Sequence, residues 1–156
     1  MTGKKQPVSV LVVIYTASPS TELGTGPEVL LLERADHPDY WQSVTGSRED
    51  MEALRDTAIR EVREETGLDA SQYILTDWQL QNHYEIYPHW RHRYPDGITQ
   101  NIEHVFGLQL PGRQTIRLAP REHLNFQWLP WQDAAEKVFS PSNRAAILAL
   151  SSSGRM

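Results

Sequence analysis

"GSREDMEALRDTAIREVREETGL", residues 46–68, is the stretch whose reading decides the fold. On a helical wheel of about 100° per residue with Leu54 at zero, Ala58 falls at about 40°, Met51 at about 60°, Val62 at about 80° and Ile59 at about 140°. These residues form one apolar stripe, so the spacing predicts a helix over 51–66 that packs on a sheet. Gly67 closes it as a C-terminal cap. On the same wheel Glu65 falls at about 20°, Glu61 at about −20° and Glu64 at about −80°. Glu61 and Glu65 therefore sit at the edge of the buried stripe, where an unpaired carboxylate is costly. A divalent cation removes that conflict, and oxygen-only ligands point to Mg²⁺ or Mn²⁺ instead of zinc. The competing reading is a solvated acidic face with pairs such as Arg60–Glu64. Gly46 ahead of the helix favours the metal, because a glycine lets a ligand approach and leaves its carbonyl accessible.

Outward from this stretch, strand and helix signals mix without regular βαβ alternation. Residues 7–16 read as a central strand and 29–34 as a second, together a hairpin around the turn-rich loop 18–28. A short extended piece at 43–46 ends at Gly46. Residues 73–87 form a strand long enough to bend, 88–101 a polar loop, 102–110 and 125–130 further strands. Two C-terminal helices follow at 131–139 and 142–152, with Ser140 or Ser142 near an N-cap. The expected architecture is an α/β domain, a mixed sheet covered by helices, with residues 1–156 as one domain.

Composition narrows the function classes. The net charge is −5, so there is no global basic field for nucleic acid or a membrane surface. No cysteine occurs, which excludes a catalytic thiol and a thiolate zinc site and fits a cytoplasmic location. No apolar run has the length of a membrane span. The short, β-branched run after Pro7 suits a buried strand better than a signal peptide. His89, His92 and His104 lack a recognised zinc spacing. "HWRHRYPDG" interleaves cations with aromatics, as single-stranded nucleic-acid sites do, but it is one short loop in an acidic chain. A triphosphate carrying a flat heterocycle asks for the same chemistry, cations for the phosphates and stacking for the ring.

The stretch 46–68 resembles the Nudix box, with Gly46, Glu52, Arg60, Glu61, Val62, Glu64, Glu65, Gly67 and Leu68 at its fixed positions. Met51 stands where many members carry glycine. The resemblance implies the Nudix fold and metal-dependent hydrolysis of a pyrophosphate bond. It implies Glu61, Glu64 and Glu65 as metal ligands, joined by the Gly46 carbonyl, with Arg60 orienting the glutamates and Glu52 bracing the loop. Three further stretches, "HPDYWQSVTGS" (37–47), "HWRHRYPDGITQNIEHVF" (89–106) and "REHLNFQWL" (121–129), are similar to the bacterial Nudix hydrolases that act on dihydroneopterin triphosphate in folate synthesis. That similarity implies Glu122 as a further metal ligand or general base, and Tyr84, Glu85, Ile86 and Tyr87 as pocket lining. Ser140 is a weaker candidate of the same kind, and Lys5 a phosphate or pterin contact.

Arg34 ends a strand directed at the site and can fork onto phosphate oxygens. Thr45 precedes Gly46 and can bind substrate through its backbone or hydroxyl. Trp41 is the tryptophan best placed to touch a ligand. The expected partner is a small-molecule triphosphate, with no nucleic acid and no membrane; the sequence leaves the oligomeric state open. Two alternatives stand beside the pterin substrate: a Nudix enzyme for (deoxy)nucleoside triphosphates, and a Nudix-fold binding module without catalysis.

Overall fold

The computed structural model describes residues 4–17 and 26–151. Its strands are β1 (Val8–Thr16), β2 (Glu28–Arg34), β3 (Trp41–Gln42), β4 (Val44–Ser47), β5 (Ile74–Glu85), β6 (Gln100–Leu110) and β7 (His123–Pro130). Its α-helices are α1 (Leu54–Thr66), α2 (Trp131–Lys137) and α3 (Pro141–Leu148). The strands form one mixed sheet: β1 runs parallel to β6 and antiparallel to β2 and β4, and β5 lies antiparallel to β6.

Every residue of β1 after Val8 is buried, because both faces of the sheet are covered. On one face Val10, Val12 and Ile14 pack with Leu30, Leu32 and Val44 against Ala58 and Val62 of α1. On the other, Leu11, Val13 and Tyr15 pack with Leu31 and Val105 against Ala134, Ala135, Ala146 and Ile147 of α2 and α3. Each fully buried Val or Leu contributes on the order of 1.5–3 kcal/mol. The expected α/β sandwich of helix, mixed sheet and helices is the one observed.

Three local expectations are corrected. β1 and β2 are a hairpin only where Tyr15 faces Val29. The two strands then part. β4 takes the edge of β1 from Ser9 to Val12, β3 pairs with Leu32 and Glu33 of β2, and residues 41–47 fill the wedge. Of the loop expected at 18–28, residues 18–25 lie outside the described residues, as does residue 152 of the last helix. Helix α1 starts at Leu54, not at 51: Ala53 is still extended, and Met51 is 88% exposed and outside the apolar stripe. Glu52 accepts from Glu49, Thr57 and Arg60 here, and these bonds brace the loop ahead of the helix. Within 88–101, residues Pro88–Arg93 form a 3-10 helix, for which the fixed φ of Pro88 is suited.

Other readings held. Gly67 caps α1 at φ 79°, its N–H donating to the Arg63 carbonyl at 2.9 Å. Strand β5 bends where its register to β6 shifts between Asp77 and Leu80, with Gln79 at φ 57°. Ser140, not Ser142, is the N-cap of α3 and accepts from the Asn143 N–H at 3.1 Å.

Candidate active site

Buried residues of α1 run from Thr57 through Ala58, Glu61, Val62 and Glu65 to Thr66. Glu61 and Glu65 therefore lie inside the buried arc, not at its edge, at 8% and 2% exposure. Burial pushes the Glu65 carboxyl well above the usual carboxylate range, and the charges of Glu61 and Glu122 add to it. The Thr45 backbone, which bonds the carboxylate, pulls the other way. Glu61 is also raised, first by burial, although Arg60 opposes the shift. Glu65 Oε1 is buried without a hydrogen-bond partner. His123 Nε2 stands 3.7 Å from it, too far for a bond. Burial and the Arg34 charge lower the His123 pKa to about 4, so at neutral pH this contact is not an ion pair.

Gly46 faces this pair. A Cβ added there would overlap the carboxylate of Glu61, so no side chain fits. Arg60 ties the approaching loop to the helix. Its Nε and Nη2 donate to Glu52 at 2.8 and 3.0 Å, Nη2 also to the Ser47 carbonyl at 3.0 Å, and Nη1 to Glu61 at 2.9 Å. Glu52 in turn accepts from the Glu49 N–H at 2.9 Å and the Thr57 hydroxyl at 3.0 Å. The fork of Arg60 lowers the Glu52 pKa to about 2. Glu64 is half exposed and reaches only Arg60 Nη1, the nitrogen that also donates to Glu61, at 3.4 Å. Among the described residues no three His, Asp or Glu side chains are already gathered as a chelating set. The donor chemistry nonetheless fits a hard divalent cation: two adjoining buried carboxylates, one bare oxygen, and a glycine where nothing but backbone can stand.

Beside this centre a cavity of about 510 Å³ opens. Glu65, Gly46 and Glu122 line one end of it, whereas Arg60, Glu61 and Glu64 do not line it. Lys5, Arg34, Thr45, Tyr84, Glu85, Ile86, Tyr87 and Ser140 all contribute to its wall. Their states differ. Arg34 forks onto Asp36 at 2.7 and 2.8 Å, bonds Gln42 at 3.0 Å, and lies 4.4 Å above the ring of Trp90. With Arg93 also on Asp36 at 2.8 Å, that carboxyl is held well below its usual range. The Thr45 hydroxyl donates to the Val10 carbonyl at 2.9 Å, inside the sheet. The Tyr84 hydroxyl accepts from Asn101 Nδ2 at 3.1 Å. Tyr87 belongs to an aromatic cluster with His89, Trp90 and Phe139. Protein around the Lys5 ammonium lowers its pKa, as does Arg93, while Glu61 and Glu65 draw it upward.

Trp41 does not line the cavity; its ring packs in the α2–α3 core and carries the Lys137 ammonium at 4.9 Å. The tryptophan of the cavity is Trp90. Sequence reasoning also passed over Asp36, Glu103 and His123, all in the wall; Arg93, another wall residue, lies in the stretch 89–97 singled out for its cations and aromatics. A signal existed for Glu103, an acidic residue on the inward face of β6 between Asn101 and Val105. None existed for Asp36.

A family model described as the NUDIX domain matches residues 5–150. The chain is 46% identical to the dihydroneopterin triphosphate diphosphatase of Escherichia coli (strain K12) over 145 residues, 92% of this chain and 91% of that protein. It is 41% identical to the protein of the same name from Haemophilus influenzae over 141 residues, 89% of this chain and 84% of that one. The solved structure of the E. coli dihydroneopterin triphosphate pyrophosphohydrolase superposes with a TM-score of 0.81, covering 93% of this chain and 94% of that one. Nudix hydrolases generally use a divalent metal. With the box residues assembled as described and the family model spanning nearly the whole chain, the protein belongs to the Nudix hydrolase family.

Proposed function

We infer that the protein hydrolyses 7,8-dihydroneopterin triphosphate to dihydroneopterin monophosphate and pyrophosphate. The observation that carries this is the continuity of the site: the carboxylate of Glu65 and the backbone of Gly46 open into the same cavity as Arg34, Trp90 and Tyr84. One end suits phosphates and the other a flat ring. The shared length and 46% identity with the E. coli enzyme support the choice of substrate.

Glu61, Glu65, the Gly46 carbonyl and Glu122 would hold Mg²⁺, or Mn²⁺ in its place, with Glu64 at the outer edge. When bound, the ion supplies positive charge to the phosphate oxygens and to the transition state. The chain's own residues do the rest. Arg60 fixes Glu61 against the loop, so the carboxylate does not have to be ordered during turnover. Arg34, held flat by Asp36 and Trp90, presents a fixed cation to the phosphates. Glu122 lines the cavity, as Glu65 does, and would take a proton from the attacking water. Tyr84, Ile86 and Tyr87 exclude water around the ring. A cytoplasmic location accords with a small, charged substrate, and none of the described helices is long and apolar enough to cross a membrane.

The test is product analysis. Purified protein with Mg²⁺ and dihydroneopterin triphosphate should release pyrophosphate and the monophosphate. Release of inorganic phosphate without pyrophosphate would contradict the assignment.

A further inference from the structure

Glu103 is a carboxylate the mechanism above does not use. It lies on β6, opposite Ser9 of β1 and Asn82 of β5, and faces the cavity at 4% exposure. Asn82 Nδ2 donates to its Oε1 at 3.2 Å, and the Ser142 hydroxyl also bonds it. Among the described residues no Lys or Arg pairs with it. Burial pushes its pKa up to about 7. A buried carboxylate supported only by neutral donors is costly to hold in its charged form. Next to it Asn101, 1% exposed, donates to Ser9 Oγ at 2.7 Å and to the Tyr84 hydroxyl, and so fixes the polar floor.

We propose that Glu103 is the specificity-determining residue of the cavity, reading the two adjacent N–H donors of a 2-amino-4-oxo-pyrimidine edge. This rests on the reading of the site as one for a pterin triphosphate, and it names the group that selects the ring. A pterin presents its ring N3–H and its 2-amino group side by side, at a spacing that matches two carboxylate oxygens. Guanine presents the same pair. Adenine and cytosine present one donor beside one acceptor, and an acceptor lone pair would face a carboxylate oxygen. The position also suits a single ligand. Gly46 on β4 and Glu103 on β6 flank β1, two strand spacings apart, about 10 Å at the usual separation. A ligand can therefore set its phosphates at Glu65 and its ring at Glu103.

The test compares wild type with Glu103→Gln, which keeps volume but replaces one acceptor by a donor. Substrates are dihydroneopterin triphosphate, dGTP, dITP and dATP, with kcat/KM read for each. In the variant, the pterin and dGTP values should fall at least about 30-fold and dATP should change less than about threefold, since an unmatched buried polar group discriminates strongly. Unmodified enzyme should prefer dGTP to dITP, which lacks the 2-amino group, by at least about tenfold. That second comparison needs no variant, so equal use of the two nucleotides overturns the proposal even if Glu103→Gln does not fold. Equal losses on all substrates in the variant, or equal use of dGTP and dITP by wild type, overturns the role of Glu103. A wild-type preference for dATP over the pterin instead contradicts the substrate assignment, and the dGTP-to-dITP ratio still judges Glu103 separately.

Discussion

Gly46 and Glu61 share one space: the volume a Cβ would take at Gly46 is filled by the Glu61 carboxyl group. The strand that carries Gly46 is hydrogen-bonded to β1, with Gly46 opposite Val10, so it has little room to withdraw. Gly46→Ala should therefore expel the Glu61 carboxylate from the site. We expect at least a hundredfold loss of kcat, and a stability loss of about 1–3 kcal/mol from overpacking. Activity within a few-fold of wild type, with an unchanged melting curve, would show that the glycine is not required.

Glu65→Gln should uncouple activity from stability. A folded-state pKa raised above the unfolded value of about 4.3 means that the folded protein loses stability as pH rises from that value through the folded pKa. In chelator, above the unfolded value, the raised pKa of the buried Glu65 carboxyl is thus a burden, and Gln removes it at constant volume. The variant should melt at a higher temperature than wild type under those conditions, with a flatter dependence of Tm on pH above the unfolded carboxylate value. It should also lose most turnover. A variant that melts lower in chelator would contradict the burial argument.

The metal should reverse that burden. Binding to the folded state alone adds RT ln(1 + [L]/Kd), about 2.7 kcal/mol at a hundredfold excess over Kd. Wild type should gain stability on adding Mg²⁺, and Glu65→Gln should gain much less. Calorimetry in Mg²⁺ and in chelator reads this directly; superimposable wild-type curves would remove the metal from Glu61 and Glu65.

Arg60 and Glu52 should behave as one unit. Arg60→Lys keeps the charge but cannot reach Glu52, Ser47 and Glu61 together. We expect each of Arg60→Lys and Glu52→Gln to lower activity at least about tenfold, and the double variant little more, since coupled neighbours are not additive. The depressed Glu52 pKa contributes stability that is present above the unfolded value and is lost as pH falls toward about 2. Full additivity in the cycle would mean that the two act independently.

Arg34 and Tyr87 should divide the substrate between them. Arg34→Ala should weaken every triphosphate by a similar factor, because the phosphates are common to all. Tyr87→Ala opens the aromatic cluster with Trp90 and Phe139, and should change the ranking of substrates. A kcat/KM panel separates the two effects. An Arg34 variant that discriminates among bases would place the arginine on the ring instead.

The placing of the helix carboxylates was legible in sequence because helical periodicity is local: the wheel takes Glu61 and Glu65 off the solvent face to the edge of the apolar stripe, although both lie inside the buried arc, and Gly67 announces the end of the helix. The wheel misplaced Met51, since the start of α1 depends on Arg60 gripping Glu52 and the Ser47 carbonyl, contacts that periodicity does not contain. Hairpin logic held for β1 and β2 only at Tyr15 and Val29 for a similar reason, because residues 41–47 enter between the strands beyond that pair. The wall residues Tyr84 to Tyr87 came from resemblance alone. Glu103 becomes informative only when the β1–β6–β5 register places Ser9, Glu103 and Asn82 side by side. Trp90 is distinguished from Trp41 only by what folds over each.

The most direct test of the whole account is kcat/KM for wild-type protein with saturating Mg²⁺, measured on dihydroneopterin triphosphate and on the deoxynucleoside triphosphates in one assay. The account predicts that the pterin substrate wins, with pyrophosphate as its product. A nucleotide that outperforms it would contradict the substrate assignment, while the absence of turnover on any triphosphate would contradict the enzyme itself.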